Sequence, residues 1–129
     1  YNMAAKDQQL ARTIAQAVND FDSSLILFGL SGSHLIREAK SLGLKTANEV
    51  FADRTYQDDG TLTPRTQPSA LIGDANKSVQ QVLLMVNKGK VITISGKEIS
   101  IVAETICIHS DTKNAVELAK KLHQELTLG

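Results

Sequence analysis

The chain has 129 residues, of which 42% are hydrophobic and 4% aromatic, and its 14 basic side chains balance its 14 acidic ones. That length and composition suit one domain, residues 1–129, with an aliphatic core, and they exclude wholesale disorder. The zero formal net charge argues against binding to nucleic acid or to an anionic membrane. A single cysteine, Cys107, favours a reducing compartment, so we expect a cytoplasmic protein.

The start of the chain has the pattern of a helix followed by a strand. Apolar residues at helical spacing predict a helix over residues 7–20, with Asp7 as its N-cap. The uninterrupted apolar run "SLILFGL" then predicts a strand. Because no polar residue alternates with the apolar ones, we expect both faces of this strand to be buried.

A turn of serine and glycine residues follows that strand and opens a second helix, "SGSHLIREAKSLG". Ser31 or Ser33 supplies the cap, and Gly43 ends the helix. Exposed backbone N–H groups at such a turn can hold an anion, but ordinary capping is the commoner alternative. The segment "KTANEVF" after it predicts a second strand.

A long connection, residues 52–73, separates this strand from the next helix, and only weak local structure is expected in it. Connections of that length inside a compact domain are uncommon and often functional. The apolar spacing of Val79, Val82, Leu83 and Val86 then predicts a third helix that closes at "NKG".

The remaining segments predict a hairpin, a strand and a helix. Ile92 and Ile94 alternate with polar residues before Gly96-Lys97, which suits a two-residue turn. The run "AETICIH" predicts a third buried strand, and apolar residues from Ala115 onward pattern the last helix. Three strands that alternate with helices predict an α/β fold with a parallel sheet, into which the hairpin is inserted.

Polar residues at the end of the second strand are candidates for a site, because parallel α/β folds gather their chemistry at the C-terminal ends of strands. Glu49 lies within an otherwise small and apolar strand, where a carboxylate needs a partner or a polar lumen. Asp53 and Arg54 follow directly after the strand. An ion pair that merely pins the loop is the alternative to a functional role for these three residues.

The long connection itself adds two candidates for binding a substrate. Tyr56 can stack or donate a hydrogen bond, and Arg65 follows Pro64, so its guanidinium can be presented rigidly to a carboxylate. A surface arginine without a role is the alternative for Arg65. Asp58 and Asp59 belong to the turn signal "DDG", and we expect them to be turn and solvent residues.

The third strand ends in "HSD", which supplies His109 and Asp111. Histidine is the side chain best suited to move protons near neutral pH, and one residue separates it from the carboxylate. The alternative for Asp111 is an N-cap of the last helix. The sequence contains no Walker-type loop, no GxGxxG and no HExxH, so any use of ATP needs residues outside this chain.

Two of these segments, "NEVFADRTYQDDGTLTPR" and "ICIHSDTKNAVELAKKL", closely resemble signature segments of the 5-oxoprolinase A-subunit family, also called the LamB/YcsF family. "GLSGS" and "YNMAAKD" fit the same family, and the match covers essentially all 129 residues. Family members are about twice as long, so the chain resembles their C-terminal half. One departure is Ser110, where many relatives have glycine, so the turn at His109 can differ from theirs.

The resemblance implies the C-terminal half of an irregular β/α barrel of the TIM type, related to glycoside hydrolase and deacetylase barrels. It also implies ATP-dependent opening of 5-oxoproline (pyroglutamate) to glutamate, together with partner subunits B and C. The family's other half would carry further metal or acid/base residues. We therefore expect the 129-residue chain alone to be inactive.

Carried over by position, the candidates divide by role: Glu49, Asp53, His109 and Asp111 for catalysis, and Arg54, Tyr56 and Arg65 for substrate binding. Two alternatives stay open: a non-catalytic subunit that binds substrate or acts as a scaffold, and a metal-dependent hydrolase similar to carbohydrate deacetylases. A bound divalent metal and a homo-oligomer are both compatible with the sequence.

Overall fold

The computed structural model describes residues 1–128 and confirms the predicted order of elements, with one addition at the start. The elements are α1 (Asn2–Lys6), α2 (Gln8–Phe21), β1 (Ile26–Leu30), α3 (His34–Ser41), β2 (Lys45–Phe51), α4 (Ala75–Lys88), β3 (Lys90–Ile92), β4 (Glu98–Ser100), β5 (Thr105–Cys107) and α5 (Ala115–Leu128). The short helix α1 was not predicted. None of the helices within residues 1–128 is long and apolar enough to cross a membrane.

The strands form two sheets. One has three strands in the order β1-β2-β5, and β1 runs parallel to β2 with Ile26 beside Lys45 and Leu30 beside Glu49. The other is the antiparallel hairpin of β3 and β4. The mixed α/β class and the parallel pairing are therefore confirmed.

The chain forms two compact units. The first comprises Tyr1–Val50 and Val102–Thr105, and the second comprises Phe51–Ile101 and the residues from Ile106 onward. The description of residues 1–129 as one domain stays a prediction.

The first unit is built around small residues of its helices. Asp7 caps α2 by accepting from the Leu10 N–H at 2.9 Å, and Ser33 caps α3, both as predicted. Gly29 allows α3 to lie close to β1, because a Cβ there would sit 3.2 Å from the Ile36 Cδ1 atom. The buried core consists of Ala4, Ala11, Ala15, Leu27, Leu35, Ala39 and Leu44.

The prediction that both faces of β1 are buried is wrong for the chain as described. Ile26 is 56% exposed and Phe28 50% exposed, whereas Leu27 between them is buried. One face of the apolar strand therefore packs against this unit's helices. The other face is exposed within residues 1–128.

The core of the second unit lies between its two long helices. Its buried residues are Ala52, Val79, Val82, Leu118 and Leu122, and Ile106 and Ile108 pack against them. Asp74 caps α4 by accepting from the Asn76 and Lys77 N–H groups. Gly89 ends the same helix in the left-handed conformation, as the predicted stop at "NKG" requires.

Replacing Gly89 by alanine is expected to destabilise the protein by about 1 kcal/mol. Its φ of +63° disfavours any side chain with a Cβ, and that Cβ would sit 3.4 Å from the Ile101 carbonyl oxygen. Chemical denaturation measures the loss. Gly73→Ala is the matched control, since φ there is ordinary and nothing lies within 4 Å of the added atom. Equal stability of the two variants would contradict the expectation.

The hairpin differs from its prediction in two respects. Its connection runs over residues 93–97 instead of two residues, because the Ile94 N–H donates to the Tyr56 carbonyl and the Thr93 N–H to that of Lys97. Val91 is fully buried, whereas Ile92 and Ile94 are about half exposed. The hairpin does have one buried face, but Val91 and Thr93 form it in the first strand and its connection, so the predicted burial of Ile92 and Ile94 is wrong.

The long connection after β2 is held by tertiary hydrogen bonds more than by regular structure. Two isolated antiparallel bridges, Arg54 with Leu71 and Tyr56 with Leu62, fold it back on itself. The Gln81 side chain on α4 donates to the carbonyls of Phe51 and Arg54, at 3.1 and 2.9 Å. These bonds fix the start of the connection against the second unit's helix.

Candidate functional site

Two predicted residues meet where β2 and β5 end. The Ala52 N–H donates to the Cys107 carbonyl at 3.0 Å, which aligns the two chain segments just past the strands. Asp53 lies two residues beyond the end of β2, and His109 lies two residues beyond the end of β5. Both residues therefore lie just past strand ends, as predicted, and their functional roles stay predictions.

The contact between Asp53 and His109 is a bidentate one. The His109 Nδ1 atom lies 2.9 Å from Oδ1 and 3.0 Å from Oδ2 of Asp53, and the His109 backbone N–H also donates to Oδ2 at 3.0 Å. Because an ionised carboxylate only accepts hydrogen bonds, this contact assigns the ring proton to Nδ1. The lone pair of a neutral imidazole then lies on Nε2.

Asp53 is fully buried, yet it is held in the ionised form. Burial alone would raise the pKa of Asp53, but hydrogen bonds from the Thr112 hydroxyl and from the backbone and ring of His109 outweigh burial. The pKa of Asp53 therefore lies below its usual value. The sequence did not indicate Thr112, because its contact with Asp53 spans 59 positions of the chain.

The ring of His109 packs against Phe51 and is partly exposed to solvent. It stacks on the Phe51 ring with centroids 5.5 Å apart and an interplanar angle of 15°. Its side chain is 25% exposed, while Asp53 behind it has no exposed surface. An imidazole with a buried carboxylate on Nδ1 and an accessible edge is equipped to take a proton at Nε2 and to return it.

Arg54 is a buried cation next to this pair in the chain. It is 3% exposed, and its Nη2 donates to the Thr63 carbonyl at 2.7 Å, whereas its Nε makes no hydrogen bond within residues 1–128. Burial and, to a smaller degree, the like charge of Arg65 lower the pKa of Arg54, and the negative charge of Asp53 opposes both. Because an arginine guanidinium stays protonated in proteins, Arg54 places a positive charge inside the second unit.

Arg65 and Asp111 are brought together at the surface. The Arg65 Nη1 atom lies 3.8 Å from Oδ2 of Asp111, and the two side chains are 47% and 74% exposed. An exposed pair at that distance stabilises the fold little, so Arg65 is available to another anion. Helix α5 begins only at Ala115, so the alternative that Asp111 caps it is wrong.

The structure gives Tyr56 and Glu49 different surroundings. Tyr56 is fully buried, and its hydroxyl accepts from the Phe51 N–H at 2.9 Å, which anchors the long connection. Glu49 belongs to the first unit, where its carboxylate accepts from the Tyr1 hydroxyl at 2.7 Å. The roles predicted for these two residues in binding and catalysis stay predictions.

The serine and glycine turn after β1 follows the capping alternative. The Ser31 N–H donates to the Glu49 carbonyl at 3.0 Å, the Gly32 N–H to the Asn48 side chain at 3.1 Å, and the Ser33 N–H to the Leu30 carbonyl at 3.0 Å. These amides are used within the first unit. They do not form a phosphate cradle in the described chain.

The two turn aspartates behave largely as predicted. Asp59 accepts from the backbone and hydroxyl of Thr61, and Asp58 accepts from the hydroxyls of Thr93 and Ser95. Asp58 thereby also ties the long connection to the hairpin, which the sequence did not indicate. Within residues 1–128 no three histidine, cysteine or acidic side chains group as metal ligands would.

Comparisons with known proteins agree with one another. The LamB/YcsF family model matches residues 1–128. The A subunit of 5-oxoprolinase from Halalkalibacterium halodurans is 56% identical over 126 residues, and that from Oceanobacillus iheyensis is 55% identical. Each alignment covers 98% of this chain and 49% of the relative.

A solved structure gives the same result. The crystal structure of a lactam utilization protein from Thermus thermophilus superposes with a TM-score of 0.84 at 38% identity. The superposition covers 97% of this chain and 49% of that protein. The chain thus spans about half the length of the curated relatives it matches. On the family match and these identities, the chain belongs to the LamB/YcsF family.

Proposed function

We propose that this chain carries the proton-transfer pair of a 5-oxoprolinase A-subunit, in which His109 acts as general base and acid and Asp53 orients and stabilises it. The observation that carries the proposal is the buried Asp53 carboxylate bonded to His109 Nδ1, at the ends of β2 and β5. The relatives named as 5-oxoprolinase A-subunits support the reaction class, and we propose that the reaction is the hydrolytic opening of 5-oxoproline to glutamate.

In the proposed reaction His109 removes a proton from the attacking water through Nε2. Asp53 stabilises the imidazolium that forms, and the same Nε2 proton then passes to the departing lactam nitrogen. When bound together with the partner subunits, ATP would supply the activation of the lactam. Because the chain lacks a phosphate-binding motif, we assign ATP binding to residues outside it.

The positive groups of the second unit suit a substrate that bears a carboxylate. Arg65 is half exposed and weakly paired, so its planar guanidinium can bind the carboxylate of 5-oxoproline. The buried charge of Arg54 adds to the positive potential behind it. Glu49 and Asp111 remain candidates for proton transfer, and Tyr56 remains a candidate for substrate contact.

The same proposal assigns the chain to the C-terminal half of an irregular β/α barrel in a cytoplasmic complex with subunits B and C. The half-length match to the relatives and the open face of β1 support this assignment. The activity then belongs to the complete protein. Residues 1–129 without the rest of the protein are expected to turn over little or no 5-oxoproline. An assay of this chain, supplied with the partner subunits and ATP, checks the expectation.

The test is 5-oxoproline-dependent ATP hydrolysis by the complete protein with its partner subunits. His109→Ala and Asp53→Ala are each expected to reduce turnover about 10²–10⁴-fold, the usual contribution of a positioned acid or base. His123→Ala is the matched control, because that histidine is exposed on α5. Wild-type turnover in both variants would sink the proposal. Substrate binding without turnover in the unmutated protein would favour a binding subunit.

A further inference from the structure

Thr112 makes a contact with the Asp53 carboxylate that has no part in the proposed proton transfer. Its hydroxyl donates to Oδ2 of Asp53, the oxygen that also accepts from the His109 backbone N–H. The Thr112 N–H in turn donates to the His109 carbonyl at 3.1 Å. Residues 109–112 therefore form a turn, and both ends of that turn bind the same carboxylate oxygen.

This arrangement bears on how the carboxylate faces the imidazole. The terminal torsion of an aspartate is broad, so a carboxylate with a single partner can rotate away from it. The His109 backbone N–H and the Thr112 hydroxyl, both bound to Oδ2, restrict that rotation and keep the two carboxylate oxygens 2.9 and 3.0 Å from His109 Nδ1. The hydroxyl also offsets part of the cost of burying the charge.

We propose that Thr112 is a positioning residue, whose hydroxyl fixes Asp53 in the orientation that holds the His109 Nδ1–H bond. The inference rests on the proposed function of the Asp53 and His109 pair and deepens it. Thr112 acts through Asp53 and is not assigned a contact with substrate. Its loss changes the geometry of the pair and leaves the pair's chemical groups in place.

The variants that test the role are Thr112→Val, which keeps the shape and removes the hydroxyl, and Thr112→Ser, which keeps the hydroxyl and removes the methyl group. Thr112→Ala replaces the valine variant if valine prevents folding, since alanine adds no bulk beside Asp53. Thr127→Val is the matched control, because the Thr127 hydroxyl donates to the His123 carbonyl on an exposed part of α5.

Two readouts are measured on the complete protein. The first is kcat and KM for 5-oxoproline-dependent ATP hydrolysis with the partner subunits. The second is the low-field proton resonance of the His109 ring N–H, assigned by its absence in His109→Gln. A hydrogen bond to a fixed carboxylate slows exchange of this proton with water, so the resonance reports the pairing without any need for activity.

We expect Thr112→Val to lower kcat about 10–100-fold with KM nearly unchanged, as is usual when a group that orients a catalytic residue is lost. We also expect it to broaden or remove the low-field resonance. Thr112→Ser should retain both, as should Thr127→Val. A valine or alanine variant with wild-type kcat and an intact resonance would overturn the proposal, and so would a serine variant as impaired as the valine variant.

The two sets of variants separate this inference from the function on which it rests. If the resonance is lost in Thr112→Val but His109→Ala turns over normally, the positioning role stands and the proposed function fails. If His109→Ala is inactive and Thr112→Val keeps both readouts, the proposed function stands and the role of Thr112 fails.

Discussion

Replacing Asp53 by asparagine is expected to lower turnover on the order of 10³-fold, although the side chain keeps its size. The carboxylate accepts from His109 Nδ1, from the His109 backbone N–H and from Thr112. An amide offers one accepting oxygen and places an N–H₂ group where the second oxygen was. Either a donor is left unpaired or the imidazole takes the other tautomer, with its lone pair on Nδ1.

The pKa of Asp53 also determines how the same substitution changes the stability of the fold with pH. Because that pKa is below its usual value in the folded protein, the carboxylate stabilises the fold fully above about pH 4, and the contribution is lost as the pH falls further. Asp53→Asn should therefore cost about 1–3 kcal/mol at pH 7 and progressively less in acid.

Denaturation at pH 7 and pH 3, together with turnover of the complete protein, measures both effects. Glu117→Gln is the matched control, because it neutralises an exposed carboxylate on α5 that pairs with Lys121. An Asp53→Asn protein with wild-type turnover, or with the same pH dependence of stability as the wild type, would contradict the role given to this carboxylate.

Leu118→Ala is expected to destabilise the protein by about 2–5 kcal/mol, the largest effect on folding that we predict. Leu118 is 2% exposed and packs with Val82 of α4 and Leu122 in the core of the second unit. Truncation removes apolar burial and leaves a cavity between two helices that cannot fully collapse. The cost arises close to the His109–Thr112 turn, because α5 begins three residues after that turn.

Thermal and chemical denaturation of the two variants Leu118→Ala and Val116→Ala measure this difference. Val116 lies two residues away on the same helix and is 70% exposed, so its truncation should change stability by less than about 0.5 kcal/mol. A Leu118→Ala protein as stable as Val116→Ala would show that the α4 and α5 contact does not support the second unit.

The sequence was sufficient to locate Asp53 and His109, because that inference needs only strand ends and residue types. "KTANEVF" and "AETICIH" were both predicted as strands, and the residues two positions beyond the observed ends of β2 and β5 fall at the same edge of a sheet. Helix caps were equally local, since Asp7, Ser33 and Gly89 act on amides and carbonyls a few residues away.

The errors arose where a distant contact decides the outcome. Thr112 reaches a residue 59 positions earlier in the chain, which no local pattern records. Asp58 accepts from the hydroxyls of Thr93 and Ser95, 35 and 37 positions later in the chain, and so ties the long connection to the hairpin. In both cases the local sequence is compatible with several hydrogen-bond partners, and the partner found in the structure lies far away in the chain.

The most direct measurement of the central claim is chemical rescue of His109→Ala by imidazole in the complete protein with its partner subunits. If His109 transfers protons through Nε2, added neutral imidazole should restore part of the lost turnover in a saturable way, while the wild type and His123→Ala do not respond. A His109→Ala protein that binds 5-oxoproline normally and gains no turnover at saturating imidazole would contradict the proton-transfer role.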